Sequence, residues 1–198
     1  AQLAGTGVEL HKTRVPDQVL IPEWLGIRFE DDDETIIAVD GLCQRAADIE
    51  ELSDRFSVVS VPNLLDALWA DRPGIPQTPV FTVKSGETRS SRIEWLRSEI
   101  AAKGCFGILL SGLDEIAWTL NVRASDIEYN PLVISYLLIT DDEVKWFVLK
   151  DRVEDPETEA TFDILTSSGV QLLPYDEVAL ARGEAGEGRL EVGLDAVA

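Results

Sequence analysis

Two long apolar runs, at positions 132–139 and 144–149, are separated only by Thr140, Asp141, Asp142 and Glu143. Runs of that length, rich in Leu, Ile, Val and aromatic residues, read as strands, and so short a polar connection makes each the natural partner of the other. They predict an antiparallel hairpin. Further short runs that read as strands lie at 35–39, 57–61, 80–83, 105–110, 170–173 and 189–192, with helical patterns between most of them. Strands alternating with helices give an α/β layer architecture, and a hairpin within the series makes the β-sheet mixed, flanked by helices, rather than purely parallel.

The helices are marked by their caps and stops. One is expected from about Asp48, where Asp48 and Glu51 have capping-box spacing and Ile49, Leu52 and Phe56 recur on one face. Asn63 is placed to cap a short helix carrying Leu64, Leu65, Leu68 and Trp69. The stretch 89–102 predicts a helix with Ile93, Leu96 and Ile100 inward, stopped by Gly104. Ser111 and Asp114 repeat the capping-box spacing ahead of Ile116, Ala117 and Leu120. Asp155 and Pro156 form a cap and first-turn pair for a helix that packs Phe162 and Leu165 and ends at Gly169, and a last helix is expected over about 176–181. Pro73, Pro76 and Pro79 each remove a donor and fix a torsion, so the chain is expected to divide there, into domains at 1–72 and 73–198.

Charge excludes one class of partner. With 37 acidic against 17 basic residues the formal charge is −20, which repels a phosphate backbone, so no nucleic acid is expected. No run approaches the roughly 18 apolar residues of a membrane helix, and residues 1–7 lack the basic start and apolar stretch of a signal peptide. The expectation is no membrane partner and a cytoplasmic setting. Methionine is absent even at position 1, which predicts a piece of a longer chain. Cys43 and Cys105 lie far apart beside apolar residues and read as buried free thiols.

Catalytic groups are sparse. His11 is the one histidine, so neither a His-x-x-x-His metal pair nor a Ser/His or Cys/His couple can be assembled. Gly183, Gly186 and Gly188 lack the Lys-Ser/Thr of a phosphate loop, and Gly5 and Gly7 lack the strand context of a dinucleotide fingerprint. Asp31, Asp32, Asp33 and Glu34 lack the Gly and distal Glu of a calcium loop and read as a solvated turn. A hydrolase built on paired carboxylates stays open as a class, although no pair can be placed on opposing strand ends. Polar groups are densest where Asn121, Arg123, Ser125, Asp126 and Asn130 fall between a helix end and a strand start, positions from which they can satisfy one another and the helix's orphan carbonyls.

The segment 113–133 reads LDEIAWTLNVRASDIEYNPLV. It is similar nearly word for word to the signature of the middle domain of three-domain Xaa-Pro aminopeptidases (aminopeptidase P), whose usual form is LDEIAW, two apolar residues, then NLRGSDI and NPVF. The hairpin SYLLIT to VKWFVL and the stretch NLLDALWADRP also resemble that family's pattern. The resemblance implies a creatinase/prolidase N-terminal domain-like fold with a ribonuclease H-like motif. Residues 1–72, with Glu23, Trp24 and Leu25, become the carboxy-terminal part of a first such domain, and 73–198 become the second, middle domain. A catalytic pita-bread domain, resembling methionine aminopeptidase and holding two divalent metals, manganese or zinc, would lie beyond residue 198. The first domain's substrate-contacting arginine would precede residue 1.

No catalytic residue, metal ligand or cofactor therefore carries over onto this chain. The implied role is non-catalytic: shaping active-site access and supporting assembly in an enzyme that removes the residue preceding proline. The implied partners are the catalytic domain of the parent chain, peptides with proline in second position and a second copy in a homodimer. On that reading Asn121, Arg123, Asp126 and Asn130 are candidate cleft or interdomain contacts; the alternative is a freestanding binding module of the same fold. Ala124 stands where the pattern has glycine, so a positive torsion there would strain the turn. Val122 stands where it has leucine.

Overall fold

The computed structural model describes residues 3–12, 15–29, 34–41, 43–63, 65–149, 155–180 and 190–192. The chain divides into two compact units, Ala1–Pro73 and Gly74–Ala198.

The first unit opens with a helix that the sequence pattern does not announce, α1 (Ile21–Arg28), with Pro22 in its first turn and the Leu20 N–H donating to the Glu23 carboxylate at 3.4 Å. Then β1 (Ile36–Val39), α2 (Ala46–Ser53) and β2 (Ser57–Ser60) make a β-α-β crossover with parallel strands, Ile36 opposite Ser57 and Val39 opposite Ser60. Helix α2 begins ahead of the expected Asp48. Arg45 takes the cap position, and Asp48, inside the first turn, accepts from the Arg45 guanidinium at 2.9 Å, which holds its carboxyl below the usual carboxylate range.

The helix expected after Asn63 is replaced by turns. Asn63 does accept from the Leu65 N–H at 2.9 Å, but the following bonds, Asp66 to Asn63, Leu68 and Trp69 to Leu65 and Arg72 to Trp69, close turns that do not propagate into a helix. Leu65, Leu68 and Trp69 are all exposed, so no burial offsets the cost of nucleating a helix; Leu64 lies outside the described residues. Cys43, expected to be buried, is exposed in the turn after β1, where its N–H donates to the Asp40 carbonyl. Among the described residues of this unit Leu52 is the buried hydrophobic, and α1 buries none.

The second unit holds β3 (Phe81–Thr82), α3 (Arg89–Ala102), β4 (Gly107–Leu110), α4 (Leu113–Leu120), β5 (Val122–Arg123), β6 (Ser135–Thr140), β7 (Val144–Val148), α5 (Pro156–Ser167), β8 (Val170–Pro174) and β9 (Leu190–Val192). Helix α3 has the expected bounds: the Thr88 hydroxyl accepts from the Ser91 N–H, and Gly104, at φ +66°, turns the chain away. Helix α5 starts on the Asp155 carboxylate, which accepts from the Thr158 N–H at 2.8 Å. Helix α4 is capped by Gly112 rather than Ser111, with the Glu115 carboxylate curled back so closely that a Cβ at 112 would meet it at 2.6 Å. The last expected helix is present at 178–180, entered through a 3₁₀ turn, Tyr175–Glu177, while 181 lies outside the described residues.

The main sheet has the order β8-β7-β6-β4-β9. Its hairpin sets Ser135 opposite Val148 and Ile139 opposite Val144; β4 joins β6 antiparallel, whereas β8 and β9 run parallel to β7 and β4. The mixed sheet follows from the hairpin, as expected. Alternation along β6 and β7 sends Leu137, Ile139, Trp146 and Val148 to one face, where they pack on Ile93, Leu96 and Ile100 of α3, Ile116 and Leu120 of α4 and Leu165 of α5. Leu138 and Phe147 point the other way, onto Leu109, Tyr136, Leu173 and Val178. Cys105 is buried in the first of these layers. Among the described residues no helix is long and apolar enough to cross a membrane.

Candidate functional site

Helix α4 has eight residues, and its last carbonyls have no partner within it. Asn121 follows at φ 56°, ψ 35°, a left-handed conformation that asparagine tolerates, and so turns the chain into β5. Three guanidinium groups then meet the helix end. Arg123 Nη1 donates to the Ala117 carbonyl at 2.7 Å and to that of Val122 at 2.8 Å; Arg92 Nη1 donates to the Trp118 carbonyl; Arg89 Nε donates to the Leu120 carbonyl at 2.9 Å. Cations belong at this negative end of the helix dipole. Burial pulls the Arg89 group below its ordinary range.

Arg92 is buried and is the centre of the arrangement. Besides the Trp118 carbonyl it donates to Asn121 Oδ1, to Ser85 Oγ at 3.1 Å and to the Glu87 carboxylate at 3.4 Å, and its guanidinium lies 4.5 Å from the centre of the Trp118 ring. The Asn121 amide donates in turn to the Glu87 carbonyl at 3.4 Å.

Asp126 anchors a second network. Its Oδ1 accepts from the Thr78 N–H at 3.1 Å and the Thr78 hydroxyl at 2.8 Å, and its Oδ2 accepts from the Ile134 N–H at 2.8 Å. Thr78 Oγ1 also accepts from the Ser125 N–H at 2.7 Å, so the proline-rich stretch is tied to the start of the loop between β5 and β6, and Asp126 ties that start to the loop's end at Ile134. Asn130 stands exposed toward the tip of that loop, its N–H donating to the Ile127 carbonyl at 3.1 Å, beside Tyr129 at φ 66°. Ala124 is fully buried and is not among the residues with positive φ, so its methyl packs in the core without backbone strain.

Asn121 and Arg123 thus meet at the helix end, Asp126 works on Thr78 and Ile134, and Asn130 occupies the loop. The pattern of residues did not point to Arg89, Arg92 or Thr78. A signal for Arg92 exists: it lies one turn before Leu96 and two before Ile100 on the inward stripe of α3, where a cation implies a buried acceptor. His11 lies 3.3 Å from the Glu9 carboxylate with its ring edge-on to Trp24. Asp31, Asp32, Asp33, Gly183, Gly186 and Gly188 lie outside the described residues.

Residues 71–191 match the family model of the creatinase/prolidase N-terminal domain. The chain belongs to that family. Its curated relatives include a probable Xaa-Pro aminopeptidase P of Laccaria bicolor, 35% identical over 74% of this chain and 24% of the relative. Xaa-Pro aminopeptidase app-1 of Caenorhabditis elegans is 32% identical over 89% of this chain and 29% of the relative. The creatinase/prolidase N-terminal chain therefore spans about a quarter to a third of the length of the curated relatives it matches. A solved structure of X-prolyl aminopeptidase from C. elegans, described as a cytosolic enzyme with a di-nuclear active site, superposes with a TM-score of 0.74 at 31% identity, covering 93% of this chain and 31% of that one. The residues described here do not fit a dinuclear centre: no three His, Cys, Asp or Glu side chains among them are grouped to hold a metal ion.

Proposed function

We propose that this chain is a non-catalytic region of a metal-dependent Xaa-Pro aminopeptidase, where it shapes access to an active site carried elsewhere in the parent. What supports the reading is the extent of the match to the C. elegans enzyme: at 93% of this chain it takes in both compact units, yet it uses only 31% of the other chain. On this reading Ala1–Pro73 is the end of a first creatinase N-terminal-like domain, Gly74–Ala198 is the middle one, and two divalent metals, manganese or zinc, are held by the parent's catalytic domain. The parent acts in the cytoplasm on peptides with proline in second position. Asn121, Arg123 and Asp126 hold the wall rigid through the networks around α4 and Thr78. The exposed loop with Tyr129 and Asn130 is the part that meets the catalytic domain and limits the length of peptide admitted.

The test is a chimera in which this chain replaces the matching region of the C. elegans enzyme, assayed on Xaa-Pro peptides from two to about ten residues alongside the isolated chain. The expected result is no turnover by the isolated chain and a chimera that is active, with a length dependence of kcat/KM that shifts on Asn130→Ala. Turnover by the isolated chain would overturn the non-catalytic reading. A folded, active chimera whose length dependence is unmoved by Asn130→Ala would overturn the role in access.

A further inference from the structure

Where α3 lies against α4, Glu87, Ser91, Arg92, Trp95 and Trp118 line a surface depression of about 340 Å³. The two indoles meet edge to face, their centroids 6.1 Å apart at 87°. Trp95 is 42% exposed, a large apolar surface left in water at the mouth of a concave site. Arg92 is already engaged by Trp118, Asn121, Ser85 and Glu87. Glu87 differs: its contact with Arg92 is long, at 3.4 Å, and its side chain is 68% exposed, so its carboxylate stands largely in solvent.

Of the charged groups that line the depression, Glu87 is exposed and acidic, whereas Arg92 is buried and already engaged. The chain as a whole is acidic, its acidic residues outnumbering its basic ones 37 to 17. The site combines aromatic surface with a solvated carboxylate. A cation gains from both, through the ring quadrupole and through the opposite charge, whereas an anion meets Glu87 and finds the Arg92 donors already taken. The volume suits one long side chain rather than a helix.

We propose that this depression docks a lysine or arginine side chain presented by an extended, basic peptide segment of another polypeptide. The cation lies against Trp95 and pairs with Glu87, while Arg92 fixes Trp118 from beneath. Exposed charges are screened by salt, so the contact is salt-sensitive.

The test uses the five tryptophan indole N–H signals of the full ¹⁵N-labelled chain in an NMR titration. The probe is acetyl-Gly-Arg-Gly-amide, with the Glu and Leu peptides of the same form as controls. The arginine peptide is expected to shift the Trp95 and Trp118 signals saturably and leave Trp24, Trp69 and Trp146 in place. Glu87→Gln should weaken it at least fivefold, and Trp95→Ala should abolish the Trp118 shift. Both substitutions fall on exposed side chains, and an unmoved Trp146 signal verifies the fold. Equal shifts from the Glu or Leu peptide, undiminished binding by Glu87→Gln, or no saturable shift at Trp95 would each overturn the proposal. None of these readouts involves peptide hydrolysis, so its failure leaves the aminopeptidase reading where it stands.

Discussion

Replacing Arg92 by methionine removes a guanidinium and its charge while keeping much of the side chain's length, which isolates the polar role of the buried group. Two acceptors lose their donor, the Trp118 carbonyl and Asn121 Oδ1. A buried acceptor left unsatisfied costs about 1–3 kcal/mol. The carbonyl keeps a long bond from the Asn121 N–H at 3.4 Å, which places its loss at the low end, whereas Asn121 Oδ1 keeps, among the described residues, only the Ser85 hydroxyl at 3.3 Å. Ser85 and Glu87 are exposed, recruit water and add little. Losing a cation from the helix end and from the Trp118 ring adds about 1 kcal/mol. The expected total is about 3–5 kcal/mol. Arg123→Met is the internal control: that side chain is only partly buried, so water can replace part of what it gives Ala117 and Val122, and the expected cost is about 1 kcal/mol. Urea unfolding of both variants, read by circular dichroism as a shift in midpoint at constant slope, gives the comparison. If Arg92→Met costs no more than Arg123→Met, a buried guanidinium is not what holds the end of α4, and the reasoning fails.

Three further outcomes are expected. Ala124→Gly, which restores the aminopeptidase pattern, should destabilise by about 1 kcal/mol, because the position is fully buried and has no positive φ to relieve; a gain in midpoint would refute this. Trp146→Phe should fall within about 1.5 kcal/mol of neutral, since the buried indole N–H has no acceptor among the described residues and its removal offsets part of the lost packing; a loss above about 3 kcal/mol would show that the N–H is satisfied. Amide exchange should be faster at 36–39 than at 107–110, because Leu52 is the buried hydrophobic among the described residues of the first unit whereas β4 lies inside a five-stranded sheet; equal protection would contradict the contrast.

The parts of the fold legible in the sequence were those specified locally. Gly104 ends α3, Asp155 and Gly169 bound α5, and four polar residues set the β6–β7 hairpin, each by chemistry within a few residues of the element itself. The errors share a cause. Asp48 has cap spacing but takes Arg45 as partner, Asn63 caps a turn whose apolar residues find nothing to bury against, and α1 has almost no apolar face to read. In the candidate site the helix end and its polar cluster were visible, but their partners were not. Arg92 reaches Asn121 from 29 residues away and Thr78 reaches Asp126 from 48, and spacing carries no record of such distances.

The sheet order also dictates a sequence of events in time. The β6–β7 hairpin closes across three residues and can form within microseconds, whereas Gly107 of β4 meets Leu190 of β9 only after a long intervening stretch has been brought in. Closing so long a loop is an entropic cost that precedes any return from the pairing. The hairpin with β4 is therefore expected to form the nucleus and β9 to arrive late at the edge: destabilising changes in the hairpin should slow folding, those in β9 should hasten unfolding, and a stopped-flow comparison of the two sets tests the order.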